Sequence, residues 1–132
     1  FQSAVRWQDG PYFVAGWNGL HIISTDGGTG AGIAVGPATD GDWHHVAMTW
    51  EQDLVGGFRS YLDGELVAER DSGPNPLPMI NGQAYMGAYQ GVSEFTNGQL
   101  DEVRIWEVVR TEEELQEWMN KPLSGEEEGL LA

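Results

Sequence analysis

The chain has 132 residues, and its 6 Lys and Arg against 21 Asp and Glu give a formal charge of −15 at pH 7. This length predicts one domain with a single hydrophobic core. A surface so acidic repels phosphate, so we expect neither nucleic acid nor an anionic membrane surface as a partner.

Short apolar runs separated by glycine-rich turns predict an all-β sandwich over residues 1–132. Glycine accounts for 19 residues, and most of the runs are rich in β-branched and aromatic side chains. The predicted strands are, in chain order, residues 2–7, 11–16, 20–24, 32–35, 43–51, 58–62, 65–69, 84–88 and 98–108.

The predicted strand at residues 43–51 carries almost no charge. Side chains alternate between the two faces of a strand, and neither face of the run from Trp43 to Trp50 is strongly polar. Such a run is typical of a central strand that is covered on both sides.

The next two strands form a predicted hairpin around Asp63 and Gly64. Asp-Gly is the favoured pair in a type I′ turn, because both central residues need a positive φ. We therefore assign Asp63 to the turn and not to a binding site.

One helix is predicted after residue 110. Thr111 can cap it, and Glu114 three residues later completes a capping box. Pro122 ends the helix and leaves a polar segment over about residues 121–132. The apolar stripe of the helix consists of Leu115, Trp118 and Met119.

The two adjacent histidines, His44 and His45, resemble a metal or catalytic pair at first sight. Neighbours on a strand point to opposite faces, so these two cannot chelate one ion together. The third histidine, His21, is remote in sequence, and we interpret all three as structural.

No catalytic motif is met, so we expect a protein that is not an enzyme. A nucleophile elbow and a phosphate-binding loop are both absent. Sandwich glycosidases use two close carboxyl groups, in a pattern resembling Glu-x-Asp-x-x-Glu on one strand. In the nearest segment Asp101 and Glu107 share a face, but two apolar residues lie between them, which departs from that pattern.

Aromatic side chains offer candidate platforms for sugar rings, which stack on exposed Trp and Tyr. The alternative is that most of these aromatics fill the sandwich core. The candidate ligand-binding residues are Trp7, Tyr12, Trp17 and Tyr89.

The chain has no cysteine, which excludes disulfides, thiolate zinc sites and cysteine nucleophiles. Small secreted animal domains often carry disulfides. Their absence favours a prokaryotic source, or else a core that needs no cross-link. No apolar run is long enough to span a bilayer, so we expect no membrane insertion.

Several segments occur in an order that is typical of a known fold. They are residues 40–50, 61–67, 86–87, 98–106 and 110–115. Together they resemble the laminin-G-like and pentraxin-like domains of the concanavalin A-like lectin/glucanase superfamily, over about residues 36–132. The resemblance implies a two-sheet antiparallel jelly-roll sandwich with one short C-terminal helix.

In the pentraxin branch of this family, calcium ligands lie in the loop after the strand that matches residues 85–87. Here that loop is residues 88–97, and Gln90 and Glu94 fall where metal ligands would lie. Tyr89 and Gly91 stand where the pentraxin pattern has acids. The calcium site that the resemblance implies is therefore incomplete.

The family normally opens with two strands that are not found before Phe1. A sandwich lacking its first two strands has an open edge and an uncovered apolar face. Three interpretations stay open: the sequence is a piece of a longer protein, another chain supplies the strands by strand addition, or residues 1–24 occupy their places.

The resemblance implies a non-catalytic extracellular or cell-surface module for binding or adhesion, with a carbohydrate or protein ligand. The alternative is a structural subunit of a surface assembly, either a homo-oligomer or a chain paired with a partner at the open sheet edge. A sandwich glycoside hydrolase is the third alternative, and the missing acid pattern argues against it.

Overall fold

The computed structural model describes residues 40–74, 84–88, 91–93 and 95–132, together with the backbone of four strands within residues 2–36. Among these residues the regular elements are eight strands and one short helix. The elements are β1 Gln2–Trp7, β2 Tyr12–Gly16, β3 Gly19–Ile23, β4 Gly32–Gly36, β5 Val46–Trp50, β6 Phe58–Leu62, β7 Glu65–Arg70, β8 Ala84–Met86 and α1 Glu112–Trp118.

The strands form two sheets. The first has five strands in the order β4-β3-β2-β1-β8, and the second has three in the order β5-β6-β7. All neighbouring strands are antiparallel. In the first sheet β8 joins from later in the chain, and Val5 of β1 pairs with Met86.

The two sheets meet where β4 lies against β6 and β7. This arrangement is consistent with the predicted sandwich. The jelly-roll connection of the sheets stays a prediction, and so does the absence of the family's first two strands.

Phe58 on β6 lies at the centre of the described core and is only 4% exposed. Its ring contacts that of Trp50 on β5, with 5.3 Å between the ring centroids. Burial of one such side chain contributes about 2–3 kcal/mol to stability. The partly buried residues packed against it are Val46, Met48, Trp50, Leu62 and Ala68.

The predicted hairpin turn is confirmed at the β6–β7 junction. Asp63 and Gly64 have φ angles of 51° and 83°, the positive values that a type I′ turn requires. The helix sits on this turn, since Gln116 Nε2 donates to the Gly64 carbonyl at 3.1 Å. A Cβ at Gly64 would lie 2.8 Å from Gln116 Cγ, so the contact also needs glycine.

The helix cap is confirmed as a capping box. Glu114 N donates to Thr111 Oγ1 at 3.3 Å, and Thr111 N donates to Glu114 Oε2 at 2.9 Å. The predicted apolar stripe is only partly buried, because α1 has no fully buried residue. The helix lies on the surface of the described part of the molecule and covers the hairpin turn.

The strand predicted at residues 43–51 is shorter than expected and lies at an edge. It begins at Val46. The preceding residue, His45, does not extend the strand, because its amide donates to the side chain of Asp63, with 3.0 Å between His45 N and Asp63 Oδ1. The prediction of a central position was wrong for the described residues, where β5 pairs with β6 alone.

The strand predicted at residues 98–108 is wrong. Glu102 has a φ of 50°, which interrupts an extended backbone, and Asp101 Oδ1 holds the Glu102 amide at 2.8 Å. Only Trp106 takes part in an isolated antiparallel bridge, with Leu130. Local turn chemistry at two acidic residues therefore overrides the strand-forming side chains that follow them.

Candidate functional site

The residues predicted to bind a ligand lie outside the part of the molecule whose side chains are described. Trp7 and Tyr12 belong to neighbouring strands, where their backbones pair with Ala84 and Arg6. Trp17 and Tyr89 fall outside the described residues, as do Gln90 and Glu94, the two predicted metal ligands. All six assignments stay predictions.

The described residues form an open groove beside the loop that follows β8. Its volume is about 420 Å³, within the usual range for small-ligand sites. One wall comes from the end of β8 and the returning loop, and the other from the irregular segment that replaces the predicted last strand. The lining residues are Met86, Gly87, Thr96, Gly98, Leu100, Asp101, Glu102 and Val103.

The loop that forms one wall of the groove closes on itself through the backbone. Thr96 N donates to the Gly87 carbonyl at 2.8 Å, and the φ of 75° at Gly87 turns the chain away from β8. This closure holds the two ends of the loop together at the groove. It therefore gives the groove a fixed rim on the β8 side.

Large apolar side chains around the groove face water. Met86 is 64% exposed, and Leu100 and Val103, which also line the groove, are exposed as well. Isolated exposed apolar residues are ordinary, but a contiguous group beside a concave surface is typical of a binding site. The groove thus offers a ligand apolar contact area that the folded chain does not use.

The two acids of the groove have different partners. Glu102 Oε2 accepts from Arg104 Nη2 at 2.8 Å, so its carboxylate is engaged within the protein. Asp101 uses one oxygen to accept from a backbone amide, and its side chain is exposed. Asp101 is thus the carboxylate that can accept hydrogen bonds from a ligand.

Arg104 connects the groove wall to the helix. Its guanidinium donates to the carbonyls of Trp118 and Lys121, at 2.7 and 2.6 Å. The Trp118 carbonyl belongs to the last turn of α1, where a positive charge is favourable, and the Lys121 carbonyl follows it in the segment after the helix. The segment that carries Asp101 and Glu102 is therefore anchored to a rigid element.

A second polar cluster lies at the start of β5, where His44 is held between two carboxylates. Its Nδ1 lies 2.8 Å from Asp63 Oδ2 and its Nε2 lies 3.1 Å from Asp40 Oδ1. An ionised carboxylate only accepts, so two such partners favour the imidazolium form, in which both ring nitrogens donate. We call these three side chains the His44 clasp.

Electrostatics in the His44 clasp favour its charged forms. Hydrogen bonds to Asp63 and then Asp40 raise the pKa of His44. The pKa of Asp40 is lowered, first by the Asp42 amide and next by His44. Burial raises the pKa of Asp63, but hydrogen bonds from His44 and the His45 amide outweigh it and lower that pKa overall.

The neighbouring His45 behaves in the opposite way. Burial lowers its pKa, and the nearby Arg104 lowers it further. Its Nδ1 is buried and has no hydrogen-bond partner among the described residues. The surroundings of the two neighbouring histidines thus differ, since they favour the charged form of His44 and the neutral form of His45.

The described residues contain no group of three or more His, Asp or Glu side chains that could hold a metal ion. The His44 clasp does not qualify, because a doubly protonated imidazole has no free lone pair for a metal. The same part of the chain has no helix with the length and apolar character needed to cross a bilayer.

The sequence patterns did not predict that Phe95, Leu100 and Trp43 are exposed. Phe95 and Trp43 are the exposed aromatic residues among the described side chains. Trp43 was assigned to a covered strand, yet it precedes β5 and faces water. A signal for Phe95 existed, since it lies between polar residues in the loop that the resemblance connects with ligands.

Comparisons with known proteins place these features in a family. The laminin G-like family model of the concanavalin A-like lectin/glucanase superfamily matches residues 3–116. The match begins well before residue 36, where the sequence resemblance began, so it includes β1–β4. No curated protein and no solved structure gives a significant match. The chain therefore belongs to the laminin G-like family of the concanavalin A-like lectin/glucanase superfamily.

Proposed function

We propose that the protein is a non-catalytic binding module for a carbohydrate or protein ligand, and that the groove beside the β8 loop is its binding site. The observation that carries this proposal is the combination of exposed Met86, Leu100 and Val103 with the carboxylate of Asp101 at one concave surface. A ligand bound there would cover apolar area and satisfy a hydrogen-bond acceptor at once.

The chemistry of the groove suits a sugar ring. The C–H faces of a pyranose pack on apolar side chains such as those of Met86 and Leu100, and its hydroxyl groups donate to a carboxylate. A volume of about 420 Å³ accommodates a small ligand. A short peptide with an apolar side chain and a free amide would use the same contacts.

A hydrolytic role is not part of this proposal. Glycoside hydrolysis needs one carboxyl group as acid and a second as base or nucleophile on opposite sides of the bond. In the groove Glu102 is committed to Arg104, which leaves Asp101 without a second free carboxyl group among the lining residues. Binding without turnover is the simpler use of such a site.

A glycan array tests the proposal directly, with the 132-residue chain and two groove variants. We expect a defined set of glycans to bind, and Leu100→Ala and Asp101→Asn each to weaken binding at least about tenfold, since each removes one of the two kinds of contact. Matched controls are Val55→Ala, an apolar residue that is 82% exposed, and Glu126→Gln, an exposed acid. Equal losses in the control variants would contradict the assignment of the groove.

A parallel array with EDTA tests the proposed calcium dependence. Gln90 and Glu94 would be the ligands in that proposal, with calcium as the only cofactor. Binding that persists in EDTA would exclude a calcium requirement without affecting the groove. Absence of any glycan ligand, with binding of a peptide library instead, would favour the protein ligand.

We also propose an extracellular or cell-surface location. Laminin G-like domains are often extracellular, and a surface with a net charge of −15 is well solvated. Protease treatment of intact cells that express the gene would digest the protein in this case. Full protection until the cells are broken would place it inside and overturn this part of the proposal.

A further inference from the structure

Two exposed asparagines in the described part of the chain, Asn97 and Asn120, have very different surroundings. Asn97 precedes Gly98 at the rim of the groove, and Asn120 precedes Lys121 after α1. We propose that Asn97 is a site of spontaneous covalent modification, where deamidation gives aspartate and isoaspartate and alters the rim of the groove. The modification itself needs no ligand, and its effect on ligand binding rests on the function proposed for the groove.

The reaction joins the Asn97 side chain to the backbone that follows it. The Gly98 amide nitrogen loses its proton to solvent and attacks Asn97 Cγ, a C–N bond forms, and the side-chain nitrogen leaves as ammonia. Attack by a group held beside its target is much faster than attack from solution. Water then opens the imide ring at either carbonyl, which gives aspartate or isoaspartate. One water is consumed and one ammonia is released, without oxidation or reduction.

The attacking nitrogen is uncommitted in the structure. No hydrogen bond of the described residues uses the Gly98 amide as its donor. Gly98 has no Cβ, so no side chain on that residue obstructs the approach of the Asn97 side chain. The chain bends at these two residues and both are exposed, which admits water to the reacting atoms. The nucleophile, its target and water therefore meet at this pair.

The surroundings of Asn120 oppose the same reaction. The amide that follows it, Lys121 N, donates to the Trp118 carbonyl at 3.1 Å, so attack by that nitrogen requires the loss of a hydrogen bond. The Lys121 carbonyl also accepts from Arg104 Nη2 at 2.6 Å, which holds this segment in place. Asn120 is therefore an internal standard, with the same side chain and with exposure to the same solvent.

Modification at Asn97 changes the groove, because Thr96 and Gly98 on either side of it both line the groove. Thr96 N closes the adjoining loop by donating to the Gly87 carbonyl at 2.8 Å. Isoaspartate carries the main chain through the former side chain, so it adds one carbon between Thr96 and Gly98. Both products also add a carboxylate to a chain with a net charge of −15. The rim of the modified chain therefore differs in both shape and charge.

Mass spectrometry of the 132-residue chain, stored at neutral pH and physiological temperature, tests the modification. Peptide mapping locates each change from amide to acid. It also separates Asn97 from the Asn-Gly pairs at residues 18–19 and 81–82, whose asparagines lie outside the described residues. We expect Asn97 to deamidate at least about tenfold faster than Asn120, with isoaspartate among the products. Equal rates at Asn97 and Asn120 would overturn the proposal.

The variant Gly98→Ala separates attack by the backbone from simple exposure to water. Apart from its chain neighbours, the described atom nearest to a Cβ at Gly98 would be Thr96 Cγ2, at an ordinary contact distance of 3.6 Å. The fold therefore tolerates alanine here. We expect this variant to slow deamidation at Asn97 at least about fivefold, because the added methyl group hinders ring closure. An unchanged rate would contradict attack by the Gly98 amide.

NMR of fresh and stored chains tests the effect on the groove without any ligand. We expect the Thr96 amide to exchange at least about threefold faster in the isoaspartate form, because the longer backbone disturbs its bond to Gly87. Freshly prepared Asn97→Asp adds the charge but not the extra carbon, so its Thr96 amide should exchange nearly as in the fresh chain. Unchanged exchange in the isoaspartate form would refute the altered rim.

A glycan array read with fresh and stored chain connects the modification with the function proposed for the groove. We expect the stored chain to bind the same glycans several-fold more weakly, and stored Asn97→Gln to bind as its own fresh sample does. Equal binding by fresh and stored natural chain would contradict an effect on ligand binding. If no glycan binds the fresh chain, the proposed glycan ligand fails while the measured deamidation rates stand, so the two failures are distinguishable.

Discussion

The two edge strands of the three-stranded sheet, β5 and β7, have opposite compositions although both pair with β6. β7 carries Glu65, Glu69 and Arg70, and of its residues only Ala68 is partly buried. β5 has no charged residue, and every one of its side chains is at least partly buried. The three-stranded sheet therefore has one charged edge strand that is mostly exposed and one uncharged edge strand that is mostly buried or partly buried.

This difference shows how edge protection is distributed within one sheet. Charges on β7 oppose pairing with another chain, and its Glu69 also pairs with Arg59 on β6, at 3.6 Å. On β5 the side chains instead contribute to the core around Phe58. Stability should consequently depend strongly on β5 and weakly on β7, and substitutions can test that ranking.

The largest expected effect comes from Phe58, which lies between the two edges. We expect Phe58→Ala to lower the free energy of unfolding by about 3–4 kcal/mol, because it removes the most central described apolar side chain and leaves a cavity. Urea denaturation followed by tryptophan fluorescence measures this loss. A loss below about 1 kcal/mol would mean that the second sheet has no core of its own.

The next prediction compares the two edges across one row of the sheet, since Trp50 and Arg70 both pair with Phe58. We expect Trp50→Ala to cost about 2 kcal/mol, as the partly buried ring contacts Phe58. Arg70→Ala should cost less than about 0.5 kcal/mol, because this side chain is exposed. Equal costs in denaturant unfolding would break the comparison between the edges.

Asp63 lies in the β6–β7 turn and bonds to the residue before β5. Its substitution should have an intermediate effect on stability. We expect Asp63→Ala to cost about 1–2 kcal/mol, from the lost acceptor of the His45 amide and from alanine at positive φ. Asp63→Asn keeps the turn and one acceptor, so it should cost less. Thermal unfolding of both variants gives the ranking, and a larger loss for asparagine would contradict it.

Local sequence patterns were sufficient for features that depend on neighbours in the chain. The Asp63-Gly64 turn and the capping box of Thr111 and Glu114 follow from short-range chemistry, and the structure confirms both. The strand at residues 98–108 failed because the positive φ of Glu102 leaves no mark in hydrophobic alternation. Side-chain type predicts which residues favour a strand, but not where a polar turn interrupts it.

Features that depend on distant segments could not be predicted from sequence. The His44 clasp joins residues 40, 44 and 63, and only the register of β5 with β6 brings them together. The groove likewise combines Met86 with residues 96–103. The edge position of β5 is also non-local, because apolar composition indicates that a strand is covered and not which segment covers it.

A smaller effect concerns pH and the His44 clasp at the start of β5. The pKa of His44 is raised, so its contribution to stability is present below its ordinary value of 6.5 and is lost as pH rises through the folded pKa. The pKa values of Asp40 and Asp63 are lowered, so their contributions are present above 3.8 and are lost in more acidic solution.

The clasp is therefore strongest between about pH 4 and 6.5, in the window that these pKa shifts define. We expect the urea midpoint of the natural chain to fall between pH 6 and 8 more than that of His44→Gln, which cannot titrate there. His45→Gln is the matched control, because burial favours the neutral form of His45. Parallel pH profiles for the natural chain and His44→Gln would show that the clasp is not charged.

The smallest expected effect is at Glu127, which belongs to neither edge. Its carboxylate accepts from Ser124 N at 2.7 Å and from Gly125 N at 2.9 Å, and these bonds, that from Ser124 first, lower its pKa to about 2. NMR titration should find this value, while Glu127→Gln should speed exchange of the two amides and leave the urea midpoint nearly unchanged. A large drop in that midpoint would contradict the ranking, because a hydrogen-bond network at the surface would then matter as much as the core contacts of β5. Hydrogen bonds between near neighbours in the chain thus determine the pKa of Glu127 but add little to the free energy of unfolding. Buried contacts between β5 and β6 determine that free energy instead.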